Sequence, residues 1–441
     1  MTFGTPFPPS SQPSSSRGVE QPAQQGHGQP PRPVYGQPPR PVFDHLARGG
    51  AGPVSGAGAS GATGTAGAPA RSTPASDLQG MPVLPVPVRR GRSVSIWVFG
   101  LLGFVMLALI AYFALFLGTG ASVVGLVLAL IPLGIVLVGV RLIDRWEPEP
   151  RSLVVFALAW GGVAGVGIAL LVDLGLVLVG VRADPLFSAV VQAPIVEEAA
   201  KGLGVVMVLL IGRRAFDGPV DGIVYGALVG AGFAFTENIQ YFGTSVIEGG
   251  GASLTATFIL RGLISPFAHA MFTALTGFAM GVAVRRGATS AGAVGAGAVG
   301  LLGAMALHAF WNGSSLLGDF IVLYATTQIP LFIGFILAIV ALRHAEARLT
   351  RRRLDDYAAA GWFTPEEVVM LATPAGRRTA LRWAAGLQGN RRRLMRSFIR
   401  DATALAAVRQ RAVNGHDGYA AADERALLLR TRVTRAQLLA Y

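Results

Sequence analysis

The sequence predicts an all-α fold: a polytopic membrane helix bundle of about eight transmembrane helices. A disordered N-terminal tail precedes it, and a small helical C-terminal cytoplasmic region follows. Three observations carry this. The 441 residues are 52% apolar and 14% charged, against about 25% charged in ordinary soluble domains. The apolar character is nearly continuous from 96 to 342, in runs that match the roughly 20 residues needed to cross a bilayer. The short loops between runs also alternate between arginine-bearing and arginine-poor, as they do when cytoplasmic loops hold the positive charge.

Residues 1–92 are rich in Pro, Gly, Ser and Gln and repeat GQPPRPV from Gly28 and again from Gly36. Such a composition buries too little apolar surface to offset its chain entropy, so a disordered tail is expected. A signal peptide is not, because the first apolar run starts only near Ile96. The transmembrane domain is expected over 93–343, with spans near 96–117, 122–140, 153–180, 187–211, 219–243, 258–284, 290–312 and 321–342. Eight crossings put Arg141, Arg145 and Arg151, then Arg213 and Arg214, then Arg285 and Arg286, on one side with the tail. Both termini are therefore expected to be cytoplasmic, and the near-exclusive use of arginine over lysine suggests a bacterial cell membrane. Over 344–441 a soluble helical region is expected. Thr364-Pro365-Glu366-Glu367 reads as a capped helix start, with further helices near 375–387 and 390–412.

The net charge of +13 does not indicate nucleic-acid binding. The excess arginine sits in short loops and in the tail, and no recognition motif accompanies it. The absence of cysteine removes disulfides, thiolate metal ligands and a cysteine nucleophile together.

Function is carried by ionisable residues inside the spans, where a charge costs about 3 kcal/mol or more. Span four holds Glu197, Glu198 and Lys201; span five Glu237 and Asn238; span six His269; span seven His308 and Asn312. Lys201 is the single lysine of an otherwise arginine-only chain. It stands three and four residues after the two glutamates, so it reaches either on one helical face. Counted from the outer span ends, Glu197, Glu237, His269 and His308 lie roughly 7 to 16 Å deep, so four helices offer polar groups at a common level. A buried ion pair accounts for one glutamate beside Lys201, but not for two.

Two imidazoles and a carboxylate with a second carboxylate nearby form the set used by hydrolytic zinc sites. Glu237, His269 and His308 are the expected ligands of a divalent metal, zinc first. Glu197 or Glu198 is the expected general base. Asn312, four residues after His308, is placed to bind a developing oxyanion or to orient a ligand. There is no HExxH motif. The lone GxSG (Gly58 to Gly61) lies in the N-terminal tail, and no pair of intramembrane aspartates occurs in a YD and GxGD context. Serine and aspartyl mechanisms are therefore disfavoured.

Four segments then resemble a known family. EEAAK (Glu197 to Lys201), FAFTEN (Phe233 to Asn238), SPFAHAMFTALTG around His269 and LHAFWN (Leu307 to Asn312) are similar to the PrsW family of intramembrane metalloproteases, relatives of the CAAX prenyl proteases. DRWEPEP before span three shares the likeness, which covers roughly 140–315. The resemblance implies a metal-dependent glutamate and histidine site in a helix bundle. It also implies cleavage of a membrane-protein substrate, such as an anti-sigma factor, within the lipid bilayer. Lys201 and Glu237 stand where CAAX proteases carry arginine and histidine, so PrsW is the nearer likeness. A transporter with a proton relay, a non-catalytic scaffold of the same fold and a CAAX-like peptidase are the rivals. The first would be favoured by inverted repeats, which the spans do not display, and the second by loss of a site residue.

Overall fold

Apolar side chains point outward from most helices of this chain. Trp97, Phe104, Phe116, Leu171, Leu178, Leu302 and Ile321 are all strongly exposed. On a soluble protein such a surface would drive aggregation; here it is the lipid-facing surface. The computed structural model describes residues 96–146, 148–181, 183–317, 319–389, 391–414 and 420–440; the expected tail 1–92 lies outside them. Among the described residues there are helices and no strands.

The bundle comprises α1 (Ile96–Phe116), α2 (Gly118–Ile143), α3 (Arg151–Leu178), α4 (Ala193–Ile211), α5 (Pro219–Thr257), α6 (Ala268–Arg285), α7 (Ser290–Leu317) and α8 (Ile329–Ala359). Among the described residues, six helical stretches are long and apolar enough to cross a membrane. The sequence count of eight differs from these six at two places. Three ionisable groups fall within α4, and α5 with α6 reads as one 67-residue stretch, Pro219–Arg285.

That stretch folds back on itself. Gly250 adopts φ +59° and ψ −149°, a conformation open to glycine. Beyond it, Thr257 Oγ1 is 2.8 Å from Ser245 Oγ. Twelve residues of straight helix would separate these groups by about 18 Å, so the chain has reversed. A π-helical turn, Phe258–Ile264, then leads into α6, which runs antiparallel to α5.

The α5–α6 contact is made by backbone. A Cβ on Gly222 would strike the Gly277 carbonyl, one on Gly226 the Thr273 carbonyl, and one on Gly230 the His269 carbonyl. Glycine at every turn of α5 lets the axes approach closely, as small residues do where lipid removes any hydrophobic drive for helix association. On its other side α5 meets α3, where Gly161 lies over the Val229 carbonyl and Thr236 Oγ1 donates to the Gly162 carbonyl at 2.8 Å. Trp160 Nε1 donates to the Ala200 carbonyl at 3.0 Å, joining α3 to α4. Thus α5 is the central post, and its buried Tyr225, Leu228, Val229 and Phe233 fix the helices that carry the site.

Beyond the bundle, the second half of α8 and four further helices, α9 (Pro365–Ala372), α10 (Pro374–Gly386), α11 (Arg392–Asn414) and α12 (Ala420–Leu439), build a separate apolar core. It includes Leu354, Leu371, Phe398, Leu405 and Leu427. Thr364 and Glu367 bond reciprocally, at 2.9 and 3.2 Å, at the start of α9, a capping box. This helical unit is pinned to the α2–α3 loop by Arg377, which stacks 3.4 Å above the Trp146 ring and donates to the Trp146 carbonyl at 3.1 Å. Burial, then the nearby Arg343, push the Arg377 guanidinium down to about 9, which leaves it charged at neutral pH.

Candidate functional site

Helix α4 is preceded by Asp184, whose side chain caps a short turn at Pro185–Phe187, and by a π-helical turn at Ser188–Gln192. Glu197 and Glu198 follow in its second turn. Adjacent helical residues differ by about 100° in direction, and the pair divides accordingly. Glu197 borders a cavity of about 340 Å³, whereas Glu198 is fully buried in the bundle.

Lys201 holds this arrangement together. Its buried ammonium donates to Glu198 Oε1 at 2.8 Å, to Glu197 Oε2 at 3.1 Å and to His269 Nδ1 at 3.0 Å, and it sits 3.9 Å from the centre of the Phe233 ring. Three N–H groups meet three acceptors. The face of the Phe233 ring adds a cation–π contact to this fully buried ammonium.

Glu198 is saturated. Its Oε1 receives Lys201 and lies 3.1 Å from His308 Nδ1, while Oε2 receives the Thr273 hydroxyl at 3.0 Å. Because a carboxylate only accepts, His308 donates from Nδ1, and its other ring nitrogen is Nε2. That nitrogen is 4.0 Å from Glu197 Oε2. His269 is set the opposite way: Nδ1 accepts from Lys201, so Nε2 donates to Glu237 Oε2 at 2.9 Å.

Glu237, on α5, is also paired with Arg261. The guanidinium binds Asn238 Oδ1 at 2.9 Å and stacks 3.8 Å over the Tyr241 ring. The reversal at Gly250 is what returns Arg261 to residues more than twenty positions earlier. Asn312 borders the same cavity and donates to the Ala189 carbonyl at 2.8 Å, tying α7 to the turn before α4.

All seven residues singled out in the sequence thus assemble at one end of the bundle, opposite the end bearing the helical tail unit. Glu197, Glu237, His269, His308 and Asn312 border the cavity; Glu198 and Lys201 lie behind it. One donor atom each from Glu197, His269 and His308 falls within 4.8 Å of the others. Two imidazoles and a carboxylate so disposed fit a divalent cation of the zinc type.

Two contributors escaped the sequence reading. Arg261 is the one arginine inside the span predicted over 258–284, a signal that was available. Thr273, four residues after His269 and on its face of α6, was indistinguishable from the surrounding small residues.

Comparison with known proteins agrees with the sequence resemblance. Residues 149–339 match the family described as "PrsW family intramembrane metalloprotease". A curated relative, "Protease PrsW" of Geobacillus kaustophilus (strain HTA426), is 35% identical over 140 residues, which is 32% of this chain and 58% of that protein. The chain therefore spans somewhat over half of that relative's length. No solved structure matches.

Proposed function

Residues 149–339 being a PrsW-family segment, we propose that this chain is a multi-span bacterial membrane protease that uses a divalent metal, zinc first, to hydrolyse a peptide bond of a membrane-associated protein. In its narrowest form the reading makes that substrate an anti-sigma factor. One observation carries the metal-dependent part: the convergence of Glu197, His269 and His308 donors within 4.8 Å at the edge of a cavity that a fourth ionisable side chain, Glu237, also borders.

In this reading Glu197, His269 and His308 would hold the metal, the Nε2 proton that His269 gives to Glu237 being displaced on binding. When bound, the ion acidifies a water and polarises the scissile carbonyl. Glu237 would serve as the base that accepts a proton from a water at the site. Its Oε2 is shared by Arg261 and His269, and its side chain borders the cavity. This exchanges two roles expected from the sequence, where Glu237 was a ligand and Glu197 or Glu198 the base. The exchange is favoured because Glu197 shares the donor cluster and Glu198 has both oxygens engaged in the interior. Glu198 and Lys201 are positioning residues that orient the two imidazoles, and the second amide hydrogen of Asn312 is available to a carbonyl oxygen of the substrate.

The same reading gives eight crossings, with α4 and both arms of the Pro219–Arg285 hairpin included, and puts both termini in the cytoplasm. Arg213, Arg214, Arg285 and Arg286 then mark the inner face, and the cavity opens toward the outer half of the membrane.

Metal analysis tests the proposal. Full-length protein purified in mild detergent should carry about one divalent ion per chain. His269→Ala, His308→Ala and Glu197→Ala should each lose it while remaining folded. Equal metal content in all four proteins would overturn the assignment.

A further inference from the structure

The far end of α3 leaves the bundle. Its first part is held by buried Leu153, Phe156, Ala157 and Val166, whereas from Leu171 to Gly180 every residue except Leu176 is exposed. Glycines aside, one side chain in this stretch is not aliphatic. Asp173 stands exposed among Leu171, Val172 and Leu174, on the same helical face as the exposed Val177. It precedes the last residue of α3 by five positions, about 8 Å, which is too far in to serve the helix end. A carboxylate that faces lipid is costly and marks a position with a partner to meet.

A second observation gives the acid a direction. Asp173 Oδ1 accepts from Gln192 Nε2 at 2.9 Å, and Gln192 closes the π-helical turn Ser188–Gln192 before α4. A neutral amide does not balance a carboxylate, and no cation pairs with Asp173 among the described residues. The bond crosses the seam between α3 and α4, and this seam runs to the candidate active site. Ala189 and Ala193, before and after Gln192 in the chain, border the 340 Å³ cavity. Glu197 follows Gln192 by five residues, about 8 Å along α4.

We infer that the splayed half of α3, with the turn before α4, docks the transmembrane helix of the substrate. Asp173 pairs there with a lysine or arginine of that helix, on the outer side of the cleaved bond. The inference rests on the membrane-protease reading above and adds to it the chemistry of the substrate. Exposed Leu171, Leu174 and Leu178 lie three and four residues apart, a ridge on which an apolar helix can pack. The acid supplies charge complementarity, which is stronger where water is scarce and fixes register more than it adds affinity.

The test uses full-length protein in phosphatidylcholine vesicles with dansyl-labelled, tryptophan-free single-span peptides of leucine and alanine. These carry Lys, Gln or Glu at one position near the outer end, and binding is read as energy transfer from the protein's tryptophans. The wild type should bind the lysine peptide about three- to tenfold more tightly than the glutamine peptide. Asp173→Asn keeps an acceptor for Gln192 and should lose the preference, while Asp173→Lys should favour the glutamate peptide. Equal binding of the lysine and glutamine peptides by the wild type, or a preference that survives in Asp173→Asn, overturns the inference. So does loss of the preference when phosphatidylethanolamine is added, which would assign the acid to a lipid amine. Metal content read on the same samples separates the two readings. A charge preference in protein that binds no metal leaves the docking surface standing and removes only the hydrolytic site; metal without a preference does the reverse.

Discussion

His308 Nδ1 stands 3.1 Å from Glu198 Oε1, a contact that links α7 to α4 inside the bundle. The pair directs the imidazole: with Nδ1 donating to a carboxylate, Nε2 is the nitrogen turned toward Glu197, 4.0 Å from its Oε2. Carboxylates that orient histidines in this way are common behind metal sites and raise ligand basicity. Glu198, though beside Glu197 in sequence, is therefore expected to act through His308 and not on the substrate.

Glu198→Gln should accordingly weaken metal affinity by about 10- to 100-fold while leaving a protein that can be reloaded. Metal competition against a calibrated chelator measures this, with turnover recovering at high metal concentration. A variant that binds metal as tightly as the wild type would show that Glu198 does not orient a ligand.

Glu197 and Glu237 are separated by a different pair of substitutions. Glu197→Gln should lower metal occupancy and activity together. Glu237→Gln should keep the metal and lose about 100- to 10,000-fold in turnover, the usual contribution of a general base. Chelation of the wild type should abolish cleavage, and added divalent ion should restore it. If Glu237→Gln is instead the variant that loses metal, the two roles revert to the assignment expected from the sequence.

Much of this site was legible before the structure because charge in a membrane is expensive. Glu197, Glu198, Lys201, Glu237, His269 and His308 stand out against apolar surroundings, and helical geometry let Lys201 reach both glutamates, as it does. What the sequence could not give was direction around each helix. A one-residue step divides Glu197 from Glu198, and only packing decides which of them meets the cavity. The partner of Arg261 was hidden for another reason: its pairing with Glu237 depends on the reversal at Gly250, and a glycine triplet in an apolar run is equally compatible with a continuous helix or a turn. The crossing count has the same origin, since charge in α4 and continuity across the hairpin both blur the hydropathy that defines a span.

Lys201 is predicted to be intolerant of arginine. Its ammonium is fully buried and meets three acceptors within 3.1 Å, a volume that a planar guanidinium does not match. Lys201→Arg should lose activity despite retaining charge. Lys201→Met should also lower stability by about 3 to 5 kcal/mol, because Glu198 is left as an unpaired buried charge. Thermal unfolding in detergent checks the second effect and substrate cleavage the first. Wild-type behaviour of both variants would mean that the ammonium is not the organising charge of the site.

Gly230 is predicted to control the site through backbone alone. It lies on α5 against the His269 carbonyl, with no room for a Cβ, and touches none of the reacting groups. Gly230→Ala must push α6 away from α5 and carry the His269 ring out of reach of Lys201 and Glu237. Overpacking of this kind costs about 1 to 3 kcal/mol, and the displacement of a ligand should reduce metal affinity as well as stability. Gly134→Ala in α2 is the matched control, since a Cβ there meets nothing within 4 Å and alanine favours a helix. Metal affinity and unfolding temperature should both fall for Gly230→Ala and hold or rise for Gly134→Ala. Equal behaviour of the two would show that close approach of α5 and α6 is not what places His269.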